Sequence, residues 1–142
     1  MGNNVIIDTG PLFALFNSSD EHHYWAQKKL TTLKEPLITC ESVVSETIFL
    51  MQRTRVNTSG LFELMDRGDL IVKTIFEHNI QKRIFAFINN YAKVQCSFAD
   101  AYVVQLYETE NNASIFTIDS DFNIYRDSQG SALTLISPFS SN

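Results

Sequence analysis

Val5-Ile6-Ile7 is an unbroken β-branched run that stops at Asp8. A run with no polar alternation suits a strand buried on both faces, the environment of a parallel sheet covered by helices on each side. The pattern recurs along the chain. Leu37-Ile38-Thr39-Cys40, Leu70-Ile71-Val72 and Ser114-Ile115-Phe116-Thr117-Ile118 read as further short strands, and residues 133–136 as a weaker fifth. Helical stretches separate them, at 12–16, about 20–33, 42–53, 57–67, 77–93 and 98–110. Short buried strands alternating with helices specify parallel βαβ units, and so an α/β/α sandwich of three layers. Ligands of such sheets bind outside the carboxyl ends of the strands, so the residues just after each strand carry the most functional information.

Local signals set the expected boundaries. Pro11 suits the opening turn of the first helix. Asp20 reads as the N-cap of the second. Gly60 interrupts the fourth helix and Gly68 closes it. Ile80, Ile84, Phe87, Ile88 and Tyr91 form the apolar face of the fifth.

Length and charge narrow the class further. A chain of 142 residues without repeats, linkers or low-complexity stretches is expected to form one domain over 1–142. Its 44% hydrophobic content excludes intrinsic disorder. No apolar run approaches the roughly 18 residues of a membrane span. Met1-Gly2-Asn3-Asn4 lacks the positive charge of a signal peptide, so a cytoplasmic protein is expected. Cys40 and Cys96 form no C-x-x-C pair and read as buried thiols of a reducing compartment. Sixteen acids against eleven bases leave a net charge of −5, which argues against the basic footprint of a nucleic-acid binder.

The acids themselves change that inference. Asp8 directly follows the first strand, Asp119 directly follows the fourth, and Asp121 lies two residues on. Glu46 and Asp100 interrupt apolar helical stretches, where a charge is rarely buried without a partner. Each acid has a plain local explanation. Asp8 can cap a helix, Asp100 can complete a capping box with Ser97, Glu46 can face solvent, and Asp119 and Asp121 can be turn residues. Together they require four independent accidents at one end of one sheet. If they converge, two carboxylates about 4 Å apart repel by roughly 4 kcal/mol at an effective dielectric near 20. A hard divalent cation removes that cost, and an all-oxygen site suits Mg²⁺ or Mn²⁺ better than zinc. Phosphodiester hydrolysis is the natural chemistry of such a site.

Val5-Ile6-Ile7-Asp8-Thr9, Ser42-x-x-x-Glu46, Ser97-x-x-Asp100-Ala101 and Thr117-Ile118-Asp119-Ser120-Asp121-Phe122 together resemble the successive motifs of PIN-domain ribonucleases, most closely the toxins of VapBC-type toxin–antitoxin pairs. The resemblance spans Val5 to about Ile136. It implies a parallel five-stranded sheet in the order 3-2-1-4-5 and Mg²⁺- or Mn²⁺-dependent endonucleolytic cleavage of single-stranded RNA. By motif position Asp8, Glu46, Asp100 and Asp119 carry over as catalytic, metal-binding acids, with Asp121 as a looser fifth ligand. Thr9 and Thr117 carry over as residues that orient carboxylates or water. A cognate antitoxin and a homodimer are the implied partners.

Other features weigh less. Adjacent histidines His22 and His23 point to different helix faces and suit packing. Asp119-Ser120-Asp121 lacks the following threonine of a phosphatase motif. Residues 28–93 hold ten bases against seven acids. Arg53, Arg55 and Arg126 are candidate RNA-phosphate contacts, although a solvated face explains each equally well. Two alternatives stay open. A receiver-like Mg²⁺-binding signalling domain would need Asp after the third strand and Lys after the fifth, whereas the chain has Lys73-Thr74 and no Lys beyond Lys93. A PIN fold that binds RNA or protein without cutting would not need acids at all four positions.

Overall fold

The computed structural model describes residues 4–139. Its five strands form one parallel sheet: β1 (Asn4–Ile7), β2 (Leu37–Thr39), β3 (Leu70–Val72), β4 (Ala113–Phe116) and β5 (Leu135–Ile136). The spatial order is β3-β2-β1-β4-β5. This is the expected order, and it differs from the 2-1-3-4-5 order of receiver-type domains. Six α-helices connect and cover the strands: α1 (Thr9–Phe16), α2 (His23–Thr31), α3 (Glu41–Arg53), α4 (Ser59–Asp66), α5 (His78–Asn90) and α6 (Phe98–Thr109).

The central strand shows why the unbroken apolar run mattered. Val5, Ile6 and Ile7 are all buried. Successive side chains on a strand point to opposite faces, so helices must cover both sides of β1. Trp25 of α2 packs edge-on against Phe116 of β4, with ring centroids 5.4 Å apart. Val103, Val104 and Leu106 of α6 are buried in the same core. Among the described residues no helix is long and apolar enough to cross a membrane, and Cys40 and Cys96 are free, buried thiols.

Several boundaries differ from the sequence reading, each for a local reason. α1 begins at Thr9 rather than Leu12, because the chain turns into helix directly from β1. Asp20 does not cap α2. Its Oδ1 accepts the His22 N–H at 2.8 Å and its carbonyl accepts the His23 N–H, so residues 20–23 make a turn and the helix starts after it. That helix stops at Thr31, where the hydroxyls of Thr31 and Thr32 bond back to the carbonyls of Lys28 and Lys29. Gly60 lies inside an uninterrupted α4. A Cβ there would come within 2.8 Å of the Phe16 ring, so glycine serves close helix packing and does not break the helix. α5 ends at Asn90, and Ala92–Val94 forms a separate 3₁₀ turn before Gln95 adopts a left-handed backbone at φ 56°. β4 and β5 are shorter than expected, although Thr117 still donates its N–H to the Ile136 carbonyl.

Candidate active site

The sheet register brings the first pair of acids together. Ile7 pairs with Phe116, and the Asp8 N–H donates to the Phe116 carbonyl at 2.9 Å. Asp8 and Asp119 therefore leave neighbouring strands at the same carboxyl edge. Gly10 permits this closeness. A Cβ on it would lie 2.5 Å from Cγ1 of Ile118, so only glycine lets the first turn of α1 pass the end of β4.

Asp8 occupies the N-cap position of α1, yet its side chain makes no capping hydrogen bond. Its Oδ2 instead accepts the Thr117 hydroxyl at 3.0 Å. The same Thr117 oxygen accepts the Asp119 N–H at 3.0 Å. One buried threonine thus ties the two strand-end acids into a single unit. Asp119 in turn caps the 3₁₀ turn Ser120–Asn123, its Oδ1 accepting the Asp121 N–H at 2.9 Å. Thr9 donates to Glu46 Oε2 at 3.3 Å, which brings the acid of α3 alongside α1.

Asp100 enters from the first turn of α6. Ser97 does cap that helix, accepting the Asp100 N–H at 3.0 Å. The capping role and the site role coexist, because the cap uses the Asp100 backbone while its carboxylate accepts the Tyr125 hydroxyl at 2.8 Å. The sequence reading missed Tyr125. Its partner lies 25 residues upstream. No local spacing signals such a contact.

Several of these acids act on one another electrostatically. Burial, followed by the charge of Asp100, pushes the Asp8 carboxyl up to about 7, against the opposing pull of the Thr9 backbone and Thr117 hydroxyl. Burial likewise pushes Asp100 up to about 6, with Asp119 and Glu46 adding repulsion and Tyr125 opposing it. Burial and Asp119 also raise Asp121. Among the described residues, none of the ion pairs formed by Lys, Arg or His reaches any of these acids.

The donor set suits a hard cation: carboxylate oxygens drawn from four elements, buried at Asp8, half-buried at Asp100 and Asp119, exposed at Glu46, and none in an ion pair among the described residues. As the side chains stand, no three His, Cys, Asp or Glu residues among those described close around a common point. The strand register sets Asp8 and Asp119 at one edge of the sheet.

The candidate phosphate contacts lie outside this cluster. Arg53 sits two turns beyond Glu46 on α3, about 10 Å along the axis, with its guanidinium 5.9 Å from the centre of the exposed Phe49 ring. Arg55 follows that helix in a left-handed conformation at φ 60°. Arg126 directs Nη1 to the carbonyls of Asn123, Ile124 and Tyr125, so it braces its own turn. His23 bonds the Ala14 carbonyl through Nδ1, which is a packing role for that ring.

Comparison with known proteins agrees with this fold. The sequence model of the PIN domain family matches residues 5–127. The chain belongs to the PIN domain family. Among solved structures, Mycobacterium tuberculosis VapC20, a Sarcin-Ricin loop cleaving toxin, superposes with a TM-score of 0.74 at 19% sequence identity, covering 85% of this chain and 94% of that one. At that identity the likeness establishes the fold. No curated protein sequence matches the chain. Within this PIN domain, Asp8 and Asp119 follow the neighbouring strands β1 and β4, Glu46 lies on α3 and Asp100 opens α6.

Proposed function

We propose that this PIN domain, read as one catalytic unit over 1–142, is a Mg²⁺- or Mn²⁺-dependent endoribonuclease that hydrolyses single-stranded RNA. In this reading it is the toxin of a toxin–antitoxin pair, acting in the cytoplasm as a homodimer and restrained by a cognate antitoxin. The observation that supports the proposal is that Asp8 and Asp119 share Thr117, Glu46 accepts from Thr9, Asp100 acts electrostatically on Asp8, and none of the four is in an ion pair among the described residues. The toxin reading draws support from the shared fold with VapC20, itself named for cleaving an RNA loop. The free thiols suit a reducing compartment. The exposed rings of Phe49, Phe62 and Phe85 offer apolar surface for protein contacts.

Asp8, Glu46, Asp100 and Asp119 would hold the cation, with Asp121 at the rim. When bound, such an ion supplies Lewis acidity: it lowers the pKa of water and screens phosphate charge. The chain's own part is to keep its ligands preorganised. Thr117 holds Asp8 and the Asp119 backbone in one register, and Thr9 holds Glu46. Water then attacks phosphorus, the bond from phosphorus to the 3′ oxygen breaks, and that oxygen leaves as a hydroxyl, giving a 5′-phosphate on the other fragment.

The test is incubation of the protein with single-stranded RNA and Mg²⁺ or Mn²⁺, with chelated controls, beside Asp8→Asn and Asp100→Asn. Cleavage by the wild type alone, with 5′-phosphate ends, is the expected result. Equal cleavage by the variants would remove the catalytic assignment.

A further inference from the structure

The segment that follows β4 reaches the acid cluster at both of its ends. Asp119 and Asp121 stand at its start, and Tyr125 at its close bonds back to Asp100. We propose that Tyr125 is a positioning residue of the acid cluster, its hydroxyl fixing the carboxylate of Asp100 so that α6 and the segment after β4 present their acids as one unit. The inference rests on the metal-binding reading above.

Three observations carry it. Tyr125 is completely buried, and its ring meets Phe87, Tyr91 and Phe122 edge-on with centroids 5.2, 5.0 and 5.1 Å away. Packed on three sides, the ring has no alternative place for its hydroxyl. The hydroxyl also needs a partner, since a buried phenol left without one costs the desolvation of a polar group. Asp100 Oδ2 is that partner at 2.8 Å, and the Cys96 thiol lies against the Tyr125 hydroxyl. Finally, the backbone carrying the ring is braced independently. Arg126 Nη1 donates to the carbonyls of Asn123, Ile124 and Tyr125, while the Arg126 N–H donates to the Tyr91 hydroxyl at 3.0 Å. The tyrosine is therefore held by its own surroundings, and the constraint runs from it to Asp100. If packing were its whole purpose, phenylalanine would fill the space without burying a polar atom.

Tyr125→Phe keeps the ring and removes only the donor. Its readout is Mn²⁺ affinity of the intact protein by titration calorimetry, taken beside the melting temperature of the metal-free form. Removing a group that orients a ligand typically weakens metal binding 10–100-fold, so a loss of about tenfold or more is expected with the melting curve still cooperative. Asp100→Asn and the double variant complete a cycle. If Tyr125 acts through Asp100, adding Tyr125→Phe to Asp100→Asn costs nothing further. Wild-type affinity in Tyr125→Phe, or losses that simply add in the double variant, would overturn the inference while leaving the nuclease reading intact. A wild-type protein that takes up no Mn²⁺ overturns both.

Discussion

Two acid environments stand near the carboxyl ends of these strands, one around Glu41 and one around Asp8, and they are built in opposite ways. Glu41, at the start of α3, accepts hydrogen bonds from the Tyr102 hydroxyl on Oε1 and from the Thr74 hydroxyl on Oε2, each at 2.6 Å. Burial pushes its carboxyl up, but the two donors outweigh that and hold it below the usual range. Tyr102 is itself placed by the Ile75 N–H and by stacking on Phe76. About one and a half turns along the same helix, Glu46 acts on Asp100, and at Asp8 and Asp100 burial and mutual repulsion outweigh the donors and push the carboxyls upward. A carboxylate retained for structure is matched by donors. A group of carboxylates short of donors sheds its repulsion by taking up protons or a cation, and this contrast distinguishes the two environments without reference to motifs.

Substitutions that remove charge break the comparison most sharply. Asp8→Asn and Asp100→Asn are expected to lower RNA cleavage by more than about 100-fold, beyond the range for removing an outer orienting group. The metal-free variants should melt no lower than the wild type, because a repelled, buried charge has gone. Cleavage assays and calorimetry on the same samples check both halves. A marked drop in stability with cleavage retained would make these acids structural.

The pH response comes next. The unfolded carboxyls titrate near 3.8, whereas folded Asp8 and Asp100 titrate near 7 and 6. Between those values the folded state binds protons that the unfolded chain has lost. The contribution of Asp8 and Asp100 to metal-free stability is therefore full below about pH 4 and falls as pH rises toward 7. Added Mn²⁺ should flatten that fall, as thermal melts across the range will show. A metal-free stability that rises with pH over this interval contradicts the assignment.

Glu41→Gln should show the reverse profile to Asp8→Asn. It replaces one matched hydrogen-bond network and costs about 1 kcal/mol of stability, while cleavage stays close to wild type. The smallest effect is expected for Arg53→Ala, outside the cluster. Its apparent RNA affinity should weaken by less than about threefold, and the difference should shrink as salt is raised. An effect as large as that of Asp100→Asn would extend the site along α3.

Much of this was legible in the sequence for a simple reason. Apolar runs such as Val5-Ile6-Ile7 announce buried strands, and an acid just past such a run can only lie at the strand's end. Glu46 and Asp100 stood out because they break apolar helical stretches. The supporting groups left no such mark. Tyr125, Tyr102 and Glu41 look like ordinary members of their segments, and each acquires its partner only across 25 or more residues. Arg126 looked like a free cation until its own turn folded around it.

The sequence by itself determined the alternation of strand and helix and set Asp8 just past the end of its strand, because burial patterns and residue order are local properties. The tertiary structure decided how those acids are held. Whether Asp8 caps a helix or faces a threonine depended on the register of β1 against β4. Whether Asp100 serves a cap or a site depended on a tyrosine carried past it by the segment after β4. Hydrogen bonds are short and directional, so which donor reaches which carboxylate is settled only when the strands have paired and the helices have packed.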